Sequence, residues 1–128
     1  MDIVNYKLIP KKINLGPNKG ETKYYAIEVN KGEITLDTLA NNIAHYSTLS
    51  RVDIVAVIAA LVDEVHDGLA NGNIVRLGEL GSFRLTIGSE GVDCKDDFKK
   101  SMINKSRVQF NPGKRIKALY KKLKFRKV

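Results

Sequence analysis

The chain has 128 residues, 43% of them hydrophobic and 28% charged, which suits a single globular domain with one core. No apolar run reaches the roughly 18 residues of a membrane span, and no basic stretch followed by an apolar one opens the chain as a secretory signal would. One cysteine, Cys94, excludes an internal disulfide framework and suits a reducing cytoplasm. The net charge is +8, but its distribution says more. Residues 99–128 hold twelve lysines and arginines and no acid, whereas residues 1–98 hold ten bases and fourteen acids. Such concentration points to a surface that meets a polyanion.

Residues 2–9 alternate loosely, with Val4, Tyr6 and Leu8 on one side. Residues 23–30 alternate more clearly, through Tyr25, Ile27 and Val29. Both read as strands, and Pro10 to Thr22 between them reads as a loop. Thr35 is placed to cap a helix from Leu36, with an apolar stripe of Leu36, Leu39, Ala40 and Ile43. Ser50 and Asp53 form a capping-box pair ahead of a second helix. There Ile54, Val57, Ile58, Leu61, Val62, Val65 and Leu69 recur at helical spacing. The stripe is wide, so this helix is expected to be central and buried. Asn71-Gly72-Asn73 ends it.

Ile74 to Leu77 reads as a strand, Gly78 to Gly81 as a tight turn, and Ser82 to Ile87 as a second strand. A polar excursion over 88–104 follows, in which Asp96 to Met102 could form a short helix. Arg107 to Phe110 is a third strand. Pro112 opens a C-terminal helix with Ile116, Leu119, Tyr120 and Leu123 as its apolar stripe.

Catalytic patterns are weak. His45 and His66 are 21 residues apart, and with Cys94 they show no metal-ligand spacing. Asp63, Glu64 and Asp67 read as a solvated helix face, and no nucleophile motif occurs. The run Gly16 to Thr22 lacks the ending of a phosphate-binding loop. The alternation around Phe83 and Phe110 marks them as core rather than base-stacking residues. The basic region is the strongest signal. Arg84 and Arg107 flank the 88–104 excursion, and Lys114 and Arg115 open the last helix, whose free amides also suit phosphate oxygens.

Three stretches carry a resemblance: Leu49-Ser50, Gly72 to Leu85 with its Gly-Ser-Phe, and Phe110-Asn-Pro-Gly-Lys-Arg-Ile116. From about Thr35 to Leu123 the chain resembles the bacterial histone-like DNA-binding proteins of the HU/IHF type. The extension before it is similar to that of a divergent HU-related subgroup typical of Bacteroidetes. The resemblance implies an α+β fold and an obligate intertwined dimer. Its parts are a helical-hairpin base, a three-stranded antiparallel sheet and a β-arm that reaches the minor groove and bends the duplex. Residues 1–33 then form an extension with an extra pair of strands. Residues 34–128 form the DNA-binding domain, with the arm over 86–109. By position in the motif, Lys114 falls on a phosphate contact, Arg84 on the basic residue at the arm's base, and Arg76 on a polar strand position. The arm here has no proline to wedge between base pairs, and its first half carries Glu90, Asp93, Asp96 and Asp97. Ile87, Met102 and Ile103 are the candidates for a substitute wedge. Glu79 replaces the first glycine of the family's turn.

The expected function is non-enzymatic, largely sequence-independent binding of double-stranded DNA by a homodimer in the bacterial nucleoid. It requires no cofactor, metal, small-molecule substrate or membrane. The expected contacts are Arg76, Arg84, Lys99, Lys100, Lys105, Arg107, Lys114, Arg115 and Lys117. The alternatives are an HU-fold interaction module that has lost DNA binding, motivated by the acidic half of the arm, and an RNA binder using the same face.

Overall fold

The computed structural model of the protein describes residues 3–128; Asp2, where the first strand was expected to start, lies outside them. The chain forms two compact units rather than the one that its length suggests. One unit comprises the residues up to Thr35 together with Leu119–Val128, and the other comprises Leu36–Ala118.

The first unit is a three-stranded sheet. Strand β1 (Ile3–Lys12) pairs antiparallel with β2 (Thr22–Val29), in register from Asn5 opposite Val29 to Lys12 opposite Thr22. The expected loop from Pro10 shortens to residues 13–21, closed by Ile13 N–H donating to Glu21 O at 2.9 Å and Gly20 N–H to Ile13 O at 2.9 Å. Pro10 therefore lies inside β1. The third strand pairs with β1 only as far as Tyr6, so β1 is an edge strand at Pro10, where proline is tolerated.

That third strand corrects the sequence reading. The C-terminal helix was expected to run through Leu123 and the extension to contain only two strands. Instead the chain ends in β6 (Lys124–Lys127), which pairs parallel with Ile3–Tyr6 and gives the order β2-β1-β6. Its alternating Lys-Phe-Arg-Lys suits a strand as well as a helix end, and only the available edge of β1 decides between them.

The second unit begins with α1 (Leu36–His45) and α2 (Arg51–Ala70). Ser50 caps α2 as its sequence predicts. Its Oγ accepts from Asp53 N–H at 3.1 Å, and the Asp53 carboxylate accepts from Ser50 N–H at 3.3 Å. Such a cap contributes about 1 kcal/mol. Arg51 Nη1 donates to Asp37 Oδ1 at 3.1 Å and ties the helices at the surface. At the other end, Asn73 N–H donates to Gly68 O and Gly72 adopts φ +80.

The sheet of this unit is antiparallel, in the order β3 (Val75–Arg76), β4 (Gly81–Ser89), β5 (Ile103–Pro112). The first strand is only two residues long, because a 3₁₀ turn at Gly78–Leu80 diverts the chain straight after it. Pro112 is not the first helical residue. It ends β5 opposite Gly81, and Gly113, with extended backbone, precedes the single α-helical turn α3 (Lys114–Lys117). A 3₁₀ turn over Ala118–Lys121 follows. The excursion beyond Ser89 holds two 3₁₀ turns, Lys95–Asp97 and Lys100–Met102, in place of one short helix.

The core departs furthest from expectation. In α2 only Ile54 is buried, at 4% exposure, with Ala40 of α1 also fully covered. Val57 is 59% and Val62 61% exposed, so α2 is not enclosed by its own chain. Two helices and one sheet cover one side of this wide stripe and have no further element for the other.

Two glycines hold the turn beside α3. Gly81 has φ +139, which side chains rarely adopt, and a Cβ there would meet the Asn111 carbonyl and the Phe110 ring. A Cβ on Gly113 would collide with the Glu79 carbonyl, where Gly113 N–H already donates to Leu80 O at 3.1 Å. Gly113→Ala is therefore expected to destabilise the fold by roughly 1–3 kcal/mol, the usual cost of overpacking. A lower urea midpoint with an unchanged m-value would show it; an unchanged midpoint would refute the close approach.

Candidate nucleic-acid interface

Neighbouring residues of a strand point to opposite sides of the sheet, and cross-strand partners share a side. The β4–β5 register therefore sorts the residues into two sets. On one side lie Arg84 opposite Gln109, Thr86 opposite Arg107, and Gly88 opposite Lys105. Arg76 joins this side through its pairing with Ser82. On the other side Phe83 meets Phe110, and Leu85 meets Val108. The two phenyl rings are 5.0 Å apart and tilted by 45°, a favourable aromatic contact. Phe83 also lines a small apolar hollow, about 230 Å³, with Ile58, Leu61 and Val65 of α2 and Leu80. One side of the sheet is thus apolar and the other cationic.

The cationic side is concave. A hollow of about 620 Å³ is lined by Arg76, Ser82, Arg84, Asn111, Lys114 and Lys117. A second hollow of about 620 Å³ lies further along the arm, with Lys105 and Arg107 on its wall beside Thr86 and Asn104. Arg84 is half-buried, and its Nε is closed to solvent with no hydrogen-bond partner among the described residues.

Six of the nine expected contacts line these two hollows. The other three do not. Arg115 turns to Glu79, Nη1 to Oε2 3.5 Å, an exposed pair. Lys99 and Lys100 belong to the segment beyond the ladder, residues 90–102, where three lysines share the chain with four carboxylates. The phosphate role expected for the amides of the last helix also weakens, because α3 is one turn long and carries little macrodipole. Ser82 and Asn111 were missed. Their alternation with Phe83 and Phe110 was legible, but not that both line a hollow facing Lys114.

Of the three apolar wedge residues, Ile87 is 63% exposed on the arm, Ile103 is less so, and Met102 is half-buried. His45 ends α1, and His66 Nδ1 lies 3.1 Å from Asp67 Oδ1. Cys94 is exposed and free. Among the described residues no group of three or more His, Cys, Asp or Glu could hold a metal ion, and no helix is long and apolar enough to cross a membrane.

A family model described as "HU domain fused to wHTH, Ig, or Glycine-rich motif" matches residues 1–127. The chain belongs to the HU-HIG family. It carries an HU domain, as the motifs at Gly72 to Leu85 and Phe110 to Ile116 indicate. Its structure is similar to a crystal structure titled "Putative bacterial DNA binding protein" from Bacteroides vulgatus ATCC 8482, with a TM-score of 0.67 and 14% identity. The match covers 99% of this chain and 48% of that one, so this HU-HIG chain spans about half the length of that protein. At this identity the likeness is one of fold. No curated protein matches the chain.

The Glu79–Arg115 pair holds one cation away from the hollow. Glu79→Gln is expected to tighten DNA binding by less than about five-fold, the scale of an exposed ion pair. Competition binding at fixed salt measures it, and an unchanged affinity would mean that Arg115 takes no part.

Proposed function

We propose that this HU-HIG chain binds double-stranded DNA with little sequence preference, through the cationic side of the β3-β4-β5 sheet and α3. The observation that carries this reading is the gathering of Arg76, Arg84, Lys114 and Lys117 around one hollow, continued along the arm by Lys105 and Arg107. A duplex presents one negative charge per about 1.7 Å of axis, and each phosphate neutralised releases counterions. Lysines and arginines around a shallow hollow meet phosphates rather than base edges, so they contribute affinity without sequence discrimination.

The base of the arm, rather than its tip, supplies the phosphate contacts. The tip mixes carboxylates with lysines and has no proline, and Ile87, near the end of the ladder, lies on the apolar side with Phe83 and Leu85, so this reading rests on phosphate contacts rather than on bending. The function needs no catalytic group, in keeping with a family that is generally non-enzymatic, and the bacterial nucleoid is its natural place.

The working form is a homodimer. Val57, Leu61 and Val62 leave a continuous apolar stripe on α2 uncovered. Burying such surface stabilises association by about 25 cal/mol per Å². A second copy of α2 offers the same stripe.

Two outcomes test this reading. Anisotropy of a labelled ~30-bp duplex across a salt series should give a log–log slope that includes about −5 per chain from the six cations of the two hollows, made shallower by about 2 per chain in Lys114→Gln/Lys117→Gln. Duplex RNA binding as tightly, with the same slope, would favour an RNA partner, and no binding at low salt would sink the reading. Sedimentation at micromolar concentration should show a dimer that Val62→Asp converts to monomer. A monomeric unaltered protein would overturn the assembly.

A further inference from the structure

The twelve-cation run of residues 99–128 looks like one feature in the sequence, but the fold divides it. Lys114, Arg115 and Lys117 stay with the arm sheet, whereas Lys124, Arg126 and Lys127 enter β6 of the other unit. There they stand beside β1, more than a hundred residues away in the chain. The register sorts this sheet as well. Ile3 lies opposite Lys124, Asn5 opposite Arg126 and Val29, Lys7 opposite Ile27, and Lys11 opposite Lys23. One side therefore carries Lys7, Lys11, Lys23, Lys124 and Arg126, all exposed. The only carboxylate in the three strands is Glu28, which pairs with Tyr6 and lies on the opposite side.

We infer that this side of the β2-β1-β6 sheet is a second binding surface for the phosphate backbone of duplex DNA. Five cations on one side with no acid among them repel one another, and a polyanion is what relieves that repulsion. Four of the five are lysines, point charges on flexible stems that suit phosphates and not the edges of bases. The fifth, Arg126, can meet a phosphate in a bidentate fork. Lys11 Nζ rests 5.7 Å from the centroid of the Tyr25 ring, so the aromatic on this side serves as a seat for a cation rather than as a stacking platform. The ten residues of β1 span about 30 Å, the length of roughly nine base pairs carrying about eighteen charges. The inference rests on the proposed DNA binding but uses none of its residues.

The test is the salt dependence of binding by the full chain. Lys7→Gln/Lys11→Gln/Lys23→Gln, and separately Lys124→Gln/Arg126→Gln, are titrated against a long duplex beside the unaltered protein. Circular dichroism and a thermal melt verify the fold of each. All five positions are exposed, and the second variant leaves the β1–β2 hairpin untouched. The expected result, beyond the contribution of the arm surface, is a slope shallower by about 3 per chain in the first variant and about 2 per chain in the second. An unchanged slope in both folded variants overturns the second surface while leaving the arm reading intact. Binding that survives Arg84→Gln/Lys114→Gln/Lys117→Gln but collapses in the sheet variants supports this surface and sinks the arm reading. No binding by the unaltered protein at low salt overturns both.

Discussion

Side-chain alternation along the β4–β5 ladder is the constraint on which the cationic surface depends. From Gly81 to Gly88 the pairing runs without a slip, and the irregularity at Gly88/Ser89 comes only after Lys105 has been placed. Within that stretch Phe83, Leu85 and Ile87 share one side, and Ser82, Arg84, Thr86 and Gly88 share the side of the two hollows. A one-residue slip would carry Arg84 and Arg107 to the side of α2 and turn Phe83 and Phe110 outward. The start of the ladder is held by a close backbone approach. Gly113 donates to Leu80, Leu77 N–H donates to Gly81 O at 2.8 Å, and neither Gly81 nor Gly113 has room for a Cβ. That approach also sets Lys114 and Lys117 against the hollow, so the same packing that closes the turn completes the site.

The apolar side of this arrangement has a different economy. Phe83, Leu80, Ile58 and Val65 converge, yet Val62 beside them and Val57 on the same helix stay largely exposed. A helix with three alanines near its middle and valines all round would be a poor choice for a solvated surface, because exposed apolar area gains nothing from folding. The proposed dimer resolves this by giving the stripe a copy of itself. It also explains why the wide stripe reads as a central helix while the single chain covers only Ile54.

The first unit repeats the sorting principle on different residues. Tyr25 beside Lys11, and Lys124 and Arg126 beside Ile3 and Asn5, show a sheet whose charged side is assembled from three separated strands. The opposite side collects Val4, Tyr6, Leu8 and Phe125 around a hollow of about 640 Å³. In both units the chemistry of a side follows from strand register, and a strand contributes according to the parity of each position.

The sequence alone determined what depends on neighbours along the chain. The Ser50/Asp53 cap, the end of α2 at Asn71, the β1–β2 hairpin and the antiparallel arm are local patterns of spacing and turn chemistry. The histone-like motifs at Gly72 to Leu85 and Phe110 to Ile116 were legible in the same way, and with them Arg76, Arg84 and Lys114 of the hollow. Tertiary structure alone decided the rest. Lys124–Lys127 becomes a strand because β1 offers an unpaired edge, Arg115 leaves the site because Glu79 is within reach, and α3 stops after one turn before the chain enters the other unit. Each of these outcomes depends on a partner distant in the chain, and periodicity within a segment carries no information about which distant group will be there to pair with it.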